Sequence, residues 1–319
     1  MSEIAEYAAS LHQKEASHYP RDLVFAECSS RVEELKNIRA VIFDVYGTLI
    51  NYWRPGFQTT ETREQTLLGS FKTLADRFGM SEYLLKIEPG QPPEKTLADF
   101  YRGLILMGHQ KAEKKGIVCP EIKIEEVWNI IILMLQRHGY VSEKHCPGKA
   151  DELSRYVAFT YNFLSLGREL YPGVYSALQR LKEDQIVLGI LSNAQFYTPI
   201  DLTLLFRDQS GGEISDIQEI FDTDLTFFSY EYGVSKPGEL LFSNLYNALY
   251  EMHIVPSQTV FVGNDLVLDI EPAQTAGMNT ALFTGDQSSA YFHDKKEQVI
   301  PDICFKSWDE LSARISFHG

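Results

Sequence analysis

The sequence predicts an α/β protein with a Rossmann-like, doubly wound parallel sheet and an inserted helical cap. Four apolar runs, at residues 40–43, 187–191, 259–262 and 280–283, are too short for helices and have the length of buried strands. Helical sequence separates the later runs, and strands that alternate with helices form parallel sheets with right-handed crossovers. Residues 52–168 lack this alternation and carry only helical periodicity, so we expect them to form the cap.

The chain divides into three predicted parts. Residues 1–39 form an N-terminal extension, residues 40–51 and 169–319 form the α/β core, and residues 52–168 form the cap. For the extension we expect a structural or oligomerisation role. It holds two candidate helices, at residues 2–10 and, capped by Ser30, at residues 31–36.

Two stretches of the cap repeat apolar residues at i, i+3 and i+4, which predicts amphipathic helices. They are Leu67, Leu68, Phe71, Leu74, Ala75 and Phe78, and then Val127, Ile130, Ile131, Met134 and Leu135. The turn-forming sequence GQPP at residues 90–93 interrupts the helical block. At the end of the core, a short strand at residues 303–305 precedes a closing helix at residues 308–315.

The composition indicates a folded protein with no nucleic-acid surface. The 319 residues are 44% apolar and 12% aromatic, enough for one large or two modest domains. The net charge of −15 comes from 29 basic and 44 acidic side chains, whereas nucleic-acid binding needs clustered Lys and Arg. A small anionic substrate remains compatible with this balance, because a local site can be positive on an acidic protein.

The cysteines and the N-terminus favour a cytoplasmic protein. Cys28, Cys119, Cys146 and Cys304 form no CxxC pair, so we expect free thiols in a reducing compartment and no zinc site. The N-terminal sequence MSEIAE lacks the basic and apolar regions of a signal peptide. No stretch approaches the ~18 apolar residues of a membrane span, so we expect no membrane association. The oligomeric state stays open.

The most informative segment is AVIFDVYGTL at residues 40–49. Asp44 directly follows the first predicted strand, and ligands of open α/β sheets bind just beyond the carboxyl ends of the strands. A carboxylate at that place can attack an electrophile, hold a metal ion, or do both.

This segment resembles the first motif of the haloacid dehalogenase-like (HAD) hydrolase superfamily. The resemblance implies that Asp44 is the nucleophile and that Thr48 hydrogen-bonds near it and orients it. Most phosphatases of the superfamily carry a second Asp two residues after the nucleophile, which serves as general acid. In this chain Tyr46 stands there. The 2-haloacid dehalogenases lack that Asp and often read Asp-x-Tyr-Gly-Thr, as here.

Two further segments resemble the second and third motifs of the superfamily. The segment ILSNA at residues 190–194 places Ser192 at a strand end, where its hydroxyl can donate to a phosphate or carboxylate oxygen, and we expect Ser192 and Asn193 to bind the substrate. The segment SYEYGVSKP at residues 229–237 resembles the pattern Ser-x-x-x-Gly-x-x-Lys-Pro. Lys236 would neutralise charge between the nucleophile and the substrate anion, and thus serve both catalysis and binding.

The fourth motif is VFVGNDLVLD at residues 260–269. It places Asp265 at a strand end and Asp269 one helical turn later, and close carboxylates repel unless a cation or a proton separates them. Together with Asp44 they would form an oxygen-rich site suited to Mg²⁺, to which Tyr46 would add its backbone carbonyl. Family phosphatases read Gly-Asp-x-x-x-Asp here, and dehalogenases usually read Ser-Ser-Asn.

The first motif therefore favours a dehalogenase and the fourth a phosphatase. Tyr46, with an ordinary pKa of about 10, is a poor proton donor to an alkoxide, whereas a halide leaves without a proton. Against a dehalogenase, Ala75 and Phe242 stand where that subfamily has Arg and Tyr, although Arg77 is close by. We predict Mg²⁺-dependent hydrolysis of a small phosphorylated metabolite through an aspartyl-enzyme intermediate on Asp44.

Two alternatives stay open. The first is a metal-free 2-haloacid dehalogenase that uses Asp44 on a halogenated substrate. The second is a catalytically weak HAD-fold protein with a binding or regulatory role, suggested by the missing acid and the N-terminal extension. Trp53 and Arg54, at the start of the cap, are further candidates for substrate contact.

Overall fold

The computed structural model describes residues 2–15, 19 and 21–317, which form two compact units. The first unit contains the described residues up to Tyr19 together with residues 53–168. The second contains residues 21–52 and 169–317. The predicted N-terminal extension is thus shared between the two units.

The described part of the first unit is helical. Its helices are α1 (Glu3–Glu15), α2 (Thr60–Arg77), α3 (Ser81–Ile87), α4 (Pro93–Glu113), α5 (Ile124–Gln136) and α6 (Leu153–Ser165). The predicted helix of residues 2–10 and both periodic stretches are confirmed, and the predicted break lies between α3 and α4. The rings of Phe71, Tyr101, Trp128 and Tyr161 pack together in the core, with the Phe71 and Tyr161 centroids 4.4 Å apart.

The second unit is built on strands. They are β1 (Ala40–Phe43), β2 (Ile50–Asn51), β3 (Glu169–Leu170), β4 (Val187–Ser192), β5 (Thr226–Phe228), β6 (Thr259–Gly263), β7 (Asn279–Phe283) and β8 (Ile303–Phe305). Its helices are α7 (Val174–Glu183), α8 (Thr198–Gln209), α9 (Ser229–Tyr232), α10 (Glu239–Glu251), α11 (Glu271–Thr275) and α12 (Trp308–Arg314), with a π-helix at Leu266–Ile270.

Six of these strands form one sheet, in the order β5-β4-β1-β6-β7-β8, and every pairing is parallel. Both faces are covered by helices, as a parallel sheet requires. On β1, Val41 and Phe43 belong to one apolar cluster and Ala40 and Ile42 to the other. The predicted doubly wound α/β fold is therefore confirmed. No helix of the described residues is long and apolar enough to cross a membrane.

The N-terminal segment of the second unit differs from the prediction. The prediction of a helix at residues 31–36 is wrong: these residues form no helix, and Leu35 forms a parallel bridge with Ile315. The Leu35 amide donates to the carbonyl of Arg314, and the Leu35 carbonyl accepts from Ser316. Six residues give too little helix to compete with this pairing along the chain end.

The expectation of four free thiols is also wrong. Cys28 and Cys304 form a disulfide between the N-terminal segment and β8, whereas Cys119 and Cys146 are free. The sequence could not show this pairing, because 276 positions separate the two residues and only the fold brings them together.

The N-terminal segment of the second unit is also bound to the core by an ion pair between Arg21 and the buried carboxylate of Asp286. Asp286 is only 1% exposed and accepts hydrogen bonds from the Arg21 guanidinium, from the Tyr171 hydroxyl at 2.7 Å and from the Ser288 hydroxyl at 2.7 Å. Burial alone would raise the pKa of Asp286, but these three partners hold it below its ordinary value.

Asp286→Asn should lower the free energy of unfolding by about 2 kcal/mol near neutral pH, because Arg21 loses its charged partner. A carboxylate with a depressed pKa stabilises the fold above the pKa of the unfolded chain, and this contribution is lost as the pH falls through the folded value. The difference from the parent should therefore shrink below about pH 4. Urea unfolding across that range measures it, with the exposed Asp184→Asn as control. If the difference in the free energy of unfolding between Asp286→Asn and the parent does not change with pH, this account is contradicted.

Candidate active site

The middle of the sheet is a point where the chain changes direction. From β1 the chain continues to β4 and β5 on one side, and from β6 it continues to β7 and β8 on the other. Ligands of doubly wound sheets bind in the crevice at such a point. Asp44 follows β1, Ser192 ends β4, and Asp265 comes two residues after the end of β6.

Asp44 and Lys236 form the centre of the site. Asp44 is 7% exposed, and its Oδ1 accepts from the Ser192 hydroxyl at 2.9 Å and from Lys236 Nζ at 2.7 Å. Lys236 Nζ also donates to Asp269 Oδ1 at 2.6 Å. Burial alone would lower the pKa of Lys236, but Asp269 and Asp44 together hold it above its ordinary value.

The turn after β1 brings a hydroxyl close to Asp44. The carbonyl of Val45 accepts from the amides of Leu49 and Ile50, at 2.8 and 2.9 Å. Gly47 adopts φ +86° in this turn, and a Cβ there would lie 2.5 Å from the side chain of Asn264, so only glycine fits. Thr48 donates to Asn264 Oδ1 at 3.0 Å and lies 3.4 Å from Asp44 Oδ2.

Asn193 engages the backbone of Lys236. Its Oδ1 accepts from the Lys236 amide at 2.6 Å, and its Nδ2 donates to the Lys236 carbonyl at 3.1 Å. Both ends of the amide are thus used to fix Lys236. This geometry suits a positioning role better than the direct substrate contact expected from the sequence.

The segment after β6 folds back so that Asp269 meets Lys236. Residues Leu266–Ile270 form a single π-turn, in which the Ile270 amide donates to the Asp265 carbonyl at 3.2 Å. Asp269 Oδ2 accepts from the amides of Asn264 and Asp265, both at 3.1 Å. A Cβ on Gly263 would lie 2.3 Å from that oxygen. Burial raises the pKa of Asp269 to about 7, against the pull of Lys236.

Asp265 is held by partners other than Asp44. Its Oδ1 caps the π-helix, accepting from the amides of Val267 and Leu268 at 2.8 and 2.9 Å. His293 Nε2 lies 3.0 Å from both carboxylate oxygens. Within the described residues, no group of three or more His, Cys, Asp or Glu side chains is arranged to hold a metal ion.

Tyr46, at the position of the usual acid, is partly buried, and its hydroxyl lies 3.0 Å from Thr198 Oγ1. A hydrogen bond between these two hydroxyls anchors the ring to the start of α8. The side chain therefore supplies no carboxylic acid at this place.

The structure brings together Asp44, Thr48, Ser192, Lys236 and Asp269 through direct contacts. The model of the haloacid dehalogenase-like hydrolase family matches residues 38–277, which covers every one of these residues.

The chain belongs to the haloacid dehalogenase-like hydrolase family.

The chain is also similar to solved structures. A 2-haloacid dehalogenase from Pseudomonas syringae pv. Tomato DC3000 is 19% identical, with a TM-score of 0.51 over 86% of this chain and 97% of that one. A HAD phosphatase from Thermococcus onnurineus is 17% identical, with a TM-score of 0.47 over 86% and 97%. At 19% identity, the first of these structures supports the fold and nothing finer. A comparison with curated proteins gave no match.

Two residues of this HAD-like hydrolase's site escaped the sequence interpretation. His293, 28 positions after Asp265, carries no motif that would link the two. Asn264 lies within the fourth motif, where the sequence assigned it no role, and its Oδ1 accepts a hydrogen bond from the Thr48 hydroxyl. Only the return of the chain after β7 brings His293 to Asp265, so local sequence gave no signal for it.

Proposed function

We propose that this HAD-like hydrolase cleaves a small phosphate monoester in two steps, through a covalent ester on Asp44. The main support is that the two carboxylate oxygens of Asp44 have different hydrogen-bond partners. Oδ1 is held by Ser192 and Lys236, at 2.9 and 2.7 Å. Among the described residues, Oδ2 makes a long contact of 3.4 Å to Thr48, whose hydroxyl lies closer to Asn264 Oδ1, at 3.0 Å.

Oδ2 is therefore the oxygen with lone pairs to spare, and we assign it as the attacking atom. It forms a bond to phosphorus while the bond from phosphorus to the leaving alkoxide breaks. A water molecule then attacks the phosphorus of the acyl phosphate, which releases inorganic phosphate and regenerates the Asp44 carboxylate. Ser192 and Lys236 hold the carboxylate in one orientation and offer donors to the phosphoryl oxygens.

The charge of the site supports a metal cofactor. Lys236 pairs with the carboxyl groups of Asp44 and Asp269, and the nearby carboxylate of Asp265 interacts with Asp269, so an incoming phosphate meets surplus negative charge. Carboxylate and carbonyl oxygens are the ligands that Mg²⁺ prefers, so these residues fit the ion by their chemistry, although the described carboxylates are not themselves arranged as a metal cluster. Asp44, the Tyr46 carbonyl and Asp265 would hold it, and Asp269 would support them. When bound, Mg²⁺ would neutralise charge between carboxylate and phosphate.

Tyr46 restricts the leaving group. Protonation of the leaving alkoxide by a general acid contributes about 10²–10⁴-fold, and Tyr46 replaces the carboxylic acid that phosphatases of this family use. We therefore propose a substrate whose leaving group departs without much help, such as an aryl or acyl phosphate.

The same residue favours a second candidate, metal-free 2-haloacid dehalogenation. Here Asp44 would attack carbon, the carbon–halogen bond would break, and the halide would leave without a proton. Water would then hydrolyse the carboxylic ester on Asp44. This reaction does not need Asp265 as a metal ligand, which agrees with the contact between Asp265 and His293.

Asp44→Asn should lower turnover by about 10³-fold or more, because the amide cannot act as the nucleophile. The measurement is release of p-nitrophenol from p-nitrophenyl phosphate with Mg²⁺, and with EDTA in its place. Asp184→Asn serves as the matched exposed control. Chloride release from 2-chloropropionate in EDTA would support the second candidate, and unchanged turnover in Asp44→Asn contradicts both.

Tyr46→Asp should raise the rate on alkyl phosphates by about 10²-fold relative to p-nitrophenyl phosphate, because only the alkoxide needs a proton. Tyr46→Phe is the control, since it removes the contact to Thr198 and adds no acid. The ratio of the two rates is measured for each protein. An equal change on both substrates argues against the leaving-group account.

His293→Ala should tighten Mg²⁺ binding about tenfold, because Asp265 no longer has to give up a hydrogen bond to the imidazole. Titration calorimetry without substrate measures the affinity. His253→Ala is the matched control, since both histidines adopt a positive φ, 50° for His293 and 55° for His253. If both variants bind Mg²⁺ with the same affinity, then His293 does not compete with the ion for Asp265.

A further inference from the structure

A cavity of about 740 Å³ lies within the second unit. Helix α10 forms one wall of the cavity, to which Glu239, Phe242 and Tyr246 contribute. The π-helix and α11 form the other wall, which includes Glu271. Small-molecule sites commonly occupy about 300–1,000 Å³, and apolar side chains with a few polar groups line them. The cavity therefore has the size and the kind of lining that a small organic ligand needs.

The charge of the lining is negative. Glu239 and Glu271 both contribute to it, and the carboxylate of Glu271 is paired with Lys295 at 3.2 Å. Within the described part of the chain, no ion pair or hydrogen bond engages the exposed carboxylate of Glu239. Glu239 therefore offers a charge with which the ammonium group of a ligand can pair.

Two aromatic side chains of α10 give the cavity apolar surface. Phe242 is 6% exposed and packs on Phe261, with the ring centroids 5.5 Å apart, so its position is fixed by the core. Tyr246 is 46% exposed, and among the described residues its ring has no aromatic partner. An aromatic ring of a ligand can therefore pack on Tyr246 in an offset-stacked or edge-to-face arrangement.

The periodicity of α10 sets the distance between the carboxylate and the exposed ring. Tyr246 follows Glu239 by seven residues, which is close to two helical turns, so both side chains lie on the same face of the helix. Along the helix axis, their Cα atoms are about 10 Å apart. An aryl ring joined to an ammonium group by a short alkyl chain matches this separation.

The cavity also adjoins the two segments that hold the buried pair of Lys236 and Asp269. Pro237, which lines the cavity, directly follows Lys236, and Glu271 directly follows the π-helix that contains Asp269. The centre of the Phe261 ring, which supports the apolar lining, lies 5.5 Å from Lys236 Nζ. A ligand in the cavity would therefore contact the chain next to both members of the pair.

We propose that this cavity binds an arylalkylammonium ion. The ammonium group of the ligand pairs with Glu239, and its ring packs on Tyr246 and Phe242. Affinity depends on both parts, because one free carboxylate and one exposed ring lie at the two ends of the same helix face. Binding restrains the backbone on either side of Lys236 and Asp269, so the ligand acts on the segments that position the catalytic charges without entering the site at Asp44.

Titration calorimetry of the full chain with tryptamine tests the binding. Glu239→Gln should weaken the affinity about tenfold, the loss expected for one charge-assisted hydrogen bond. Tyr246→Leu should weaken it about fivefold, because an aromatic pair is lost. The matched controls Glu251→Gln and Tyr250→Leu lie in the same helix but outside the cavity lining, and they should bind like the parent. Equal affinity in Glu239→Gln and Glu251→Gln overturns the proposal.

Two related compounds test the two parts of the ligand separately. Tryptophol has the same ring system as tryptamine but a hydroxyl group in place of the ammonium group, and butylamine keeps the charge without a ring. Each should bind about tenfold more weakly than tryptamine. If either compound binds as tightly as tryptamine, then the cavity does not recognise the combination of ring and charge, and the proposal is overturned.

Hydrogen exchange with and without tryptamine locates the ligand even if a variant fails to fold. Peptides from residues 238–251 and 264–276 should exchange more slowly when tryptamine is bound, whereas peptides from residues 303–314, in β8 and α12, should not change. Neither experiment measures turnover, so the result is independent of the chemistry proposed at Asp44. Slower exchange only outside residues 237–276, or no change at saturating tryptamine, overturns the proposal.

Discussion

The burial of Lys236 between Asp44 and Asp269 is the constraint on which the site depends. An ammonium group that is 3% exposed costs several kcal/mol unless carboxylates pair with it, and here one lies on each side, at 2.7 and 2.6 Å. Asp44 follows β1, Asp269 lies in the π-helix after β6, and Lys236 follows β5 and α9. The three charges meet at the carboxyl edge of the sheet, where Phe43, the last residue of β1, is paired to both Ile190 and Val262.

The backbone around Asp269 allows its carboxylate to reach Lys236. The π-turn and the absence of a side chain at Gly263 let the carboxylate lie against the end of β6, where two amides stabilise one oxygen and Lys236 the other. The same arrangement uses Asp44 Oδ1 and leaves Oδ2 as the attacking atom of our proposal. The position of the proposed nucleophile is therefore a consequence of the fold, whereas the proposed leaving group depends on side chains such as Tyr46 that the fold does not require.

The sequence predicted what depends on local pattern. Four buried apolar runs became strands of the sheet, and the motif residues Asp44, Ser192, Lys236 and Asp269 came together, because the carboxyl ends of parallel strands share one edge. What it missed depends on contacts between distant segments. The Cys28–Cys304 disulfide, the bridge of Leu35 to Ile315 and the approach of His293 to Asp265 each join residues far apart in sequence. The short strand β5 carried no signal of its own, since three residues give no periodicity.

The covalent ester on Asp44 is the central claim, and mass spectrometry of an acid-quenched single turnover tests it most directly. With a phosphate monoester, the peptide that contains Asp44 should carry a phosphoryl group on that residue, and the adduct should be absent from Asp44→Asn. With a haloacid in ¹⁸O-labelled water, the isotope should instead enter the Asp44 carboxylate. Turnover without an adduct or isotope on Asp44, or with an adduct on another residue, contradicts the account.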